Sequence, residues 1–333
     1  MTPTPEQWNQ FVRQHPHATP LQLAAWAELK GAFGWQSTLA AVMEDGAIVG
    51  GAQILFRKLP IGKLAYIPYA PLTDWHDLDL TKRVFAEIHQ TTRQQGAAFL
   101  KVEAGIGIDP KYLEEHGFQL STQTVQPPNT MLIDLADDDT MLKRMNQGTR
   151  RNIRKSDKFE VSIREGSRAD VDSFNAMLDE TGNRQAFGVH AADYYEKAYD
   201  LFVPSGDAVL LIASYEQTDL AGIFVFKIGQ GAWYLYGASR NIERKRMASF
   251  GVQWAGIQWA RDHGCTVYDM VGIPDADEDT LEAQFQDRDD GLWGVYRFKR
   301  GWGGRVARSV GAWDYVYNPI IYRLYNFALR VRG

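Results

Sequence analysis

The chain has 333 residues, 45% of them hydrophobic and 23% charged, a globular composition too long for one ordinary core, so two domains are expected. Its net charge of −5 excludes general nucleic-acid binding, and any such partner must be held by local basic patches. The single cysteine, Cys265, excludes an intramolecular disulfide and a cysteine metal cluster, and its place after a helix-stopping glycine fits the core.

No His or carboxylate spacing suits a metal, no apolar run approaches the ~20 residues that span a bilayer, and the opening M-T-P-T-P-E-Q carries no secretory signal pattern. A soluble, cytoplasmic, monomeric protein without metal or cofactor is expected. Leu21 to Phe33 predicts a helix with Leu23, Trp26, Ala27 and Lys30 near one face. Two strands follow around a turn at Asp45-Gly46, a hairpin signal. Lys63 to Pro71 is a third strand, closed by prolines. Leu80, Val84 and Ile88 are spaced four apart and predict a helix to about Gln95, which Gly96 stops. The run A-A-F-L-K-V-E-A then reads as a buried strand, and Tyr112 to His116 as a short helix ending at Gly117-Phe118.

The same order returns. Ala208 to Ala213 and Leu220 to Ile228 flank a polar turn, Ala232 to Ser239 follows as a third strand, Phe250, Trp254 and Ile257 mark a helix stopped by Gly264, and C-T-V-Y-D-M-V is the next strand. Tyr66 aligns with Tyr234 and Gly96 with Gly264 at one common offset. Strand-turn-strand-strand-helix-strand, twice, predicts a duplicated mixed α/β unit. Between the copies, Asp137 to Tyr199 is mostly helical. Met141, Met145, Thr149 and Ile153 keep a spacing of four, and Arg150, Arg151, Arg154, Lys155 and Lys158 lie on other faces.

The second copy is expected to end in Gly294–Gly304, G-V-Y-R-F-K-R-G-W-G-G. Val295, Arg297 and Lys299 alternate with Tyr296, Phe298 and Arg300, which predicts a strand running into a glycine turn. It follows an acidic run, Asp275 to Asp290, read as a mobile loop. A cationic strand in that position can grip an anion, or it can be an edge strand whose charges oppose aggregation. The tail from Asn318 puts Ile321, Leu324, Tyr325, Ala328 and Leu329 on one helical face, with Arg323, Arg330 and Arg332 flanking it.

Eight segments in order, W-A-E-L-K, A-Y-I-P-Y-A-P, L-K-V-E, V-Q-P-P-N-T, T-R-R-N-I-R-K, Y-L-Y-G-A-S, Y-D-M-V-G-I-P and Y-R-F-K-R-G-W-G-G, resemble the FemABX family of non-ribosomal aminoacyltransferases. The resemblance implies two tandem GNAT-like domains: residues 1–140 with 307–333, the C-terminal helix packed back, and residues 141–306. It also implies transfer of an amino acid from aminoacyl-tRNA to the side-chain amine of a diamino acid in a peptidoglycan precursor, UDP-MurNAc-pentapeptide or lipid II. No insertion can form a coiled-coil tRNA-binding arm, so the chain is similar to the compact, FemX-like members. Family members often carry Arg-Gly-Pro where this chain has Tyr69-Ala70-Pro71, and an aspartate where it has Glu103.

Carried over on that resemblance, Lys30 and Arg184 contact the diphosphate of the precursor, where an ammonium and a planar guanidinium suit the charge. Tyr69 lies near the substrate cleft. Tyr234 and Tyr236, two apart on a strand, share a face and offer hydroxyls to substrate or pack as core. Phe298 and Lys299 fall at the tRNA end, with Lys299 steadying the oxyanion of ester attack. Glu103 orients the incoming amine, since an ordinary carboxylate is a poor base for it. Asp269 reads as a structural acceptor at a strand end. Arg150, Arg151, Arg154 and Lys155 meet an acceptor stem or form a solvated face. The tail helix touches a membrane or packs on the first domain. Two rival functions remain: an acyl-CoA N-acyltransferase, disfavoured because I-E-R-K-R-M-A-S lacks a glycine to cradle a pyrophosphate, and a non-catalytic member of the fold.

Overall fold

The computed structural model describes residues 3–185 and 190–332, without the side chains of 183–185 and 332. The chain forms two compact units, Met1–Pro128 with Arg308–Gly333, and Asn129–Ala307.

In the first unit, Gln36–Glu44, Ala47–Lys58 and Lys63–Pro68 run antiparallel, and Phe99–Glu103 returns parallel to Lys63–Pro68. Asp45 and Gly46 both have positive φ, 47° and 83°, as the two-residue turn between Glu44 and Ala47 requires. The crossover is the helix Leu78–Gln94. Asp77 caps it by accepting from the Leu80 N–H at 2.9 Å, and Val84, Ile88 and Thr92 bury one face against the sheet. Strand Ala312–Val316 lies on the far side of Phe99–Glu103, with Gln119–Leu120 at the edge.

The second unit repeats this plan. Ala208–Tyr215, Thr218–Ile228 and Gly231–Ser239 are antiparallel, helix Ala248–Asp262 crosses over, and Val267–Asp269 returns parallel to Gly231–Ser239. Asn129–Asp134 flanks the returning strand as Ala312–Val316 does in the first unit, with Arg305–Arg308 beyond it. Both units are mixed α/β sheets with the same strand-strand-strand-helix-strand order.

Three expectations are corrected. Residues 129–134 hydrogen-bond to Val267–Asp269, so the second unit begins at Asn129 and not after residue 140. Gly294–Gly304 is not a strand: Trp293–Lys299 is an α-helix and Arg300–Trp302 a 3-10 turn. Its buried residues, Trp293, Tyr296 and Lys299, are three apart, a helical period that the shorter alternation masked. The acidic run is not a loop throughout, because Asp277 caps a helix, Glu278–Gln284, by accepting from Thr280 N–H at 2.7 Å.

The C-terminal helix Pro319–Arg332 lays Ile321, Tyr322 and Tyr325 against Leu64, Ala98 and Phe99 of the first unit. Among the described residues, no helix is long and apolar enough to cross a membrane.

Candidate active site

The conformation of the G-W-G-G turn explains why its glycines are needed. A Cβ on Gly303, at φ 76°, would stand 2.6 Å from the Arg144 backbone, and one on Gly304 2.6 Å from the Leu132 carbonyl oxygen. These glycines give close backbone packing within the second unit, which fixes the helix Trp293–Lys299 just before them.

That helix distributes its cations unequally. Arg297 donates to the carbonyls of Phe285 and Gln286, and Arg300 pairs with Glu282, which also accepts from the Tyr296 hydroxyl at 3.0 Å. Both arginines therefore tie down the acidic segment. Lys299 alone turns inward, 8% exposed, at the end of the helix.

The Lys299 ammonium donates to the carbonyl oxygens of Val271 and Gly272, the latter at 2.7 Å. Those carbonyls converge because Val271 and Gly272 both have positive φ, 49° and 64°. A β-branched residue rarely adopts that conformation. Asp269 holds it there, accepting from the Val271 N–H at 2.7 Å, and it also accepts from the Thr130 hydroxyl. Burial lowers the Lys299 pKa to about 8, opposed by the Asp269 charge. Burial raises Asp269, opposed by its hydrogen bonds and by Lys299. The result is a desolvated cation with neutral partners in direct contact and its compensating carboxylate one turn away. Positive charge with only neutral groups in contact can stabilise an anion that reaches it. Sequence reading gave Asp269 only a structural role; the signal for more was its spacing, two residues before a Val-Gly turn.

The tyrosine pair does not share a face. Tyr234 pairs with Val225 but Tyr236 pairs with Phe224, because a bulge at residue 235 shifts the register. Tyr234 joins the core cluster that contains Val225, and Lys299 lies 5.9 Å from its ring centre. Tyr236 points to the other side, among Phe224, Phe226 and Tyr195, with its hydroxyl 3.1 Å from that of Tyr194. Phe298 packs on Phe250 and Trp302 at 5.0 and 5.6 Å, while the next residue, Lys299, faces the 271–272 turn.

In the first unit, Glu103 is the last residue of the returning strand and 3% exposed. Its oxygens accept from Tyr66 Oη, from Val125 N at 2.5 Å and from Gln126 N at 3.1 and 3.2 Å. Burial raises its pKa and these donors oppose the rise. The carboxylate is thus saturated by donors of its own unit, so the expected direct hold on an amine would have to displace one of them. Tyr69 follows the neighbouring strand at φ 49°, half-buried.

Lys30 sits in the last turn of helix Ala24–Ala32, 5.0 Å from the Trp26 ring centre. Burial, then the nearby Arg57, lowers its pKa to about 8. Arg184 belongs to helix Asp170–Gln185, but its side chain lies outside the described residues. Helix Gln147–Lys158 lines a surface groove with Arg150, Arg151, Arg154, Lys155 and Lys158. Arg150 is committed to the carbonyls of Leu142 and Met145, whereas Arg151, Arg154, Lys155 and Lys158 have no ion pair among the described residues.

The start of each crossover helix bears on the acyl-CoA alternative. Helix Ala248–Asp262 begins behind Glu243, Lys245 and Arg246, which pair with one another, and helix Leu78–Gln94 begins with Asp77 and Asp79. A pyrophosphate would meet bulky side chains at the first, where a glycine turn would bare backbone N–H groups, and negative charge at the second.

Together these features define two tandem GNAT-like units, and solved structures agree on the fold. A crystal structure of FemX superposes with a TM-score of 0.87 at 24% identity, covering 97% of this chain and 98% of that one. A tandem GNAT protein from the clavulanic acid biosynthesis pathway superposes at 0.55 and 11% identity, covering 95% and 94%. The sequence profile of the FemAB family matches residues 4–112, 111–219 and 208–330, so the chain belongs to the FemAB family. The lipid II:glycine glycyltransferase of Staphylococcus saprophyticus is 26% identical, covering 97% of this chain and 94% of that protein.

Proposed function

We propose that the protein is an aminoacyltransferase of peptidoglycan bridge formation. It moves an amino acid from aminoacyl-tRNA onto the side-chain amine of a diamino acid in the stem peptide of UDP-MurNAc-pentapeptide or lipid II. The carrying observation is the family match along nearly the whole chain, with relatives that are lipid II:glycine glycyltransferases.

The reaction needs attack of a neutral amine on the ester carbonyl. An amide bond forms, the ester C–O bond breaks, and the ribose oxygen leaves. An alkylammonium of pKa ~10.4 must lose one proton before attack, to solvent or a substrate phosphate, and the tetrahedral adduct then gives a second to the departing ribose oxygen. Lys299, a cation with neutral contacts, steadies the tetrahedral oxyanion. Asp269 is its positioning residue, acting through the Val271–Gly272 turn. The Tyr234 ring, 5.9 Å from the Lys299 ammonium, packs beside it. Lys30, Arg184 and Tyr69 are assigned to the precursor, Arg151, Arg154 and Lys155 to RNA phosphates. Tyr236 and Phe298 support the substrate walls from the core. Glu103 positions the 121–127 loop rather than binding the amine. Rate enhancement comes chiefly from holding two large substrates in register.

The test is incubation of purified protein with a panel of charged tRNAs and a lysine-containing muropeptide nucleotide or its lipid-linked form, read by mass. One aminoacyl residue added from a charged tRNA supports the reading. Turnover of acetyl-CoA, with no addition from any charged tRNA, overturns it.

A further inference from the structure

The C-terminal helix has two apolar faces, only one of which is packed. Opposite Ile321, Tyr322 and Tyr325, the residues Ile320, Leu324, Phe327 and Val331 recur at steps of four, three and four and form one stripe. They are 72, 46, 67 and 71% exposed, among the most exposed large hydrophobics described in the chain.

Charge selects the occupant. Arg323 and Arg330 border the stripe on one side, exposed and without an ion pair among the described residues. The helix contains no Asp or Glu. A second copy docked stripe to stripe would bring these arginines against their own kind with no acid on the helix to pair them. An anionic bilayer offers hydrocarbon to the stripe and phosphates to the arginines, the pattern of a helix lying in the interface plane.

We propose that helix Pro319–Arg332 is a membrane-docking surface that rests on anionic phospholipid, with Ile320, Leu324, Phe327 and Val331 entering the acyl boundary. This goes beyond the transferase reading and does not depend on it, although a lipid-linked acceptor would be met at such a surface.

Flotation of the full chain with phosphatidylglycerol vesicles and with phosphatidylcholine vesicles tests it without reference to activity. Binding is expected to phosphatidylglycerol and to fall with salt. Ile320→Ser with Phe327→Ser, both at exposed positions, should lower the affinity at least ~10-fold. Arg323→Gln and Arg330→Gln should each lower it about fivefold. No flotation with phosphatidylglycerol, or flotation unchanged by the double serine variant, overturns the proposal. So does a dimer in sedimentation that the serine variant abolishes, because a second copy then covers the stripe.

Discussion

Glu103 and Asp269 are both the last residue of the strand that returns after a crossover helix, one in each unit. Glu103 is buried and Asp269 half-buried, and loss of water raises the pKa of both. Their partners differ. Glu103 spends its acceptors on Tyr66 and two backbone N–H groups of the 121–127 loop, and so closes its own unit. Asp269 binds Thr130 and the Val271 N–H, and its charge reaches Lys299 through space. A duplicated fold has thus put one carboxylate to holding a loop and the other to holding a cation. The acid itself is the same chemistry in both; the donors that reach it decide the use.

That contrast can be pulled apart by substitution. Lys299→Ala should have the largest effect, slowing transfer ~10²–10³-fold, as for loss of one oxyanion donor. Precursor binding, measured by calorimetry, should be largely retained. Glu103→Ala should instead act on stability, costing ~1–2 kcal/mol in denaturant unfolding, because the buried Tyr66 hydroxyl and two partly exposed backbone N–H groups lose their acceptor. A Glu103→Ala protein as stable as the parent would remove the loop-holding role.

Asp269→Asn should act on pH dependence. Lys299 must be cationic to steady an oxyanion, so transfer by the parent should fall as pH rises through about 8. The Asp269 charge raises the Lys299 pKa, so its removal should move that alkaline limb to lower pH. An unmoved limb would separate Asp269 from Lys299. Stability has the opposite sign to activity here. With the folded pKa below the unfolded value of 10.5, the unfolded chain binds the extra proton, and this lysine's contribution to folding grows from about pH 8 to 10.5.

The smallest effect is expected on the exposed helix. Arg151→Gln with Arg154→Gln should reduce the slope of log affinity for charged tRNA against log salt by about 1.5, with transfer at saturation unaltered. An identical slope would return these arginines to a solvated face.

Much of the fold was legible in the residues, and the reason is periodicity. The Asp45-Gly46 turn, the Leu80-Val84-Ile88 spacing and the returning apolar strands each carry a local signal, and their repetition exposed the duplication. The helix at Trp293–Lys299 was misread because seven residues satisfy period two nearly as well as period three, and only burial separates them. The strand at Ala312–Val316 went unread for a different reason: its partner, Phe99–Glu103, is distant in sequence. In the site, Lys299 was legible as an unusual cation in an aromatic setting. Its neighbours were not. The bulge that parts Tyr234 from Tyr236 and the positive φ of Val271 are backbone facts set by tertiary packing, with no mark in the residue types.

The most direct measurement is the single-turnover rate of Lys299→Ala, with charged tRNA and lysine-containing precursor both saturating. A buried ammonium that meets the oxyanion requires a rate at least ~100-fold below the parent's. A rate within twofold, in a protein that still binds precursor, would show that Lys299 serves only to pin the Val271–Gly272 turn.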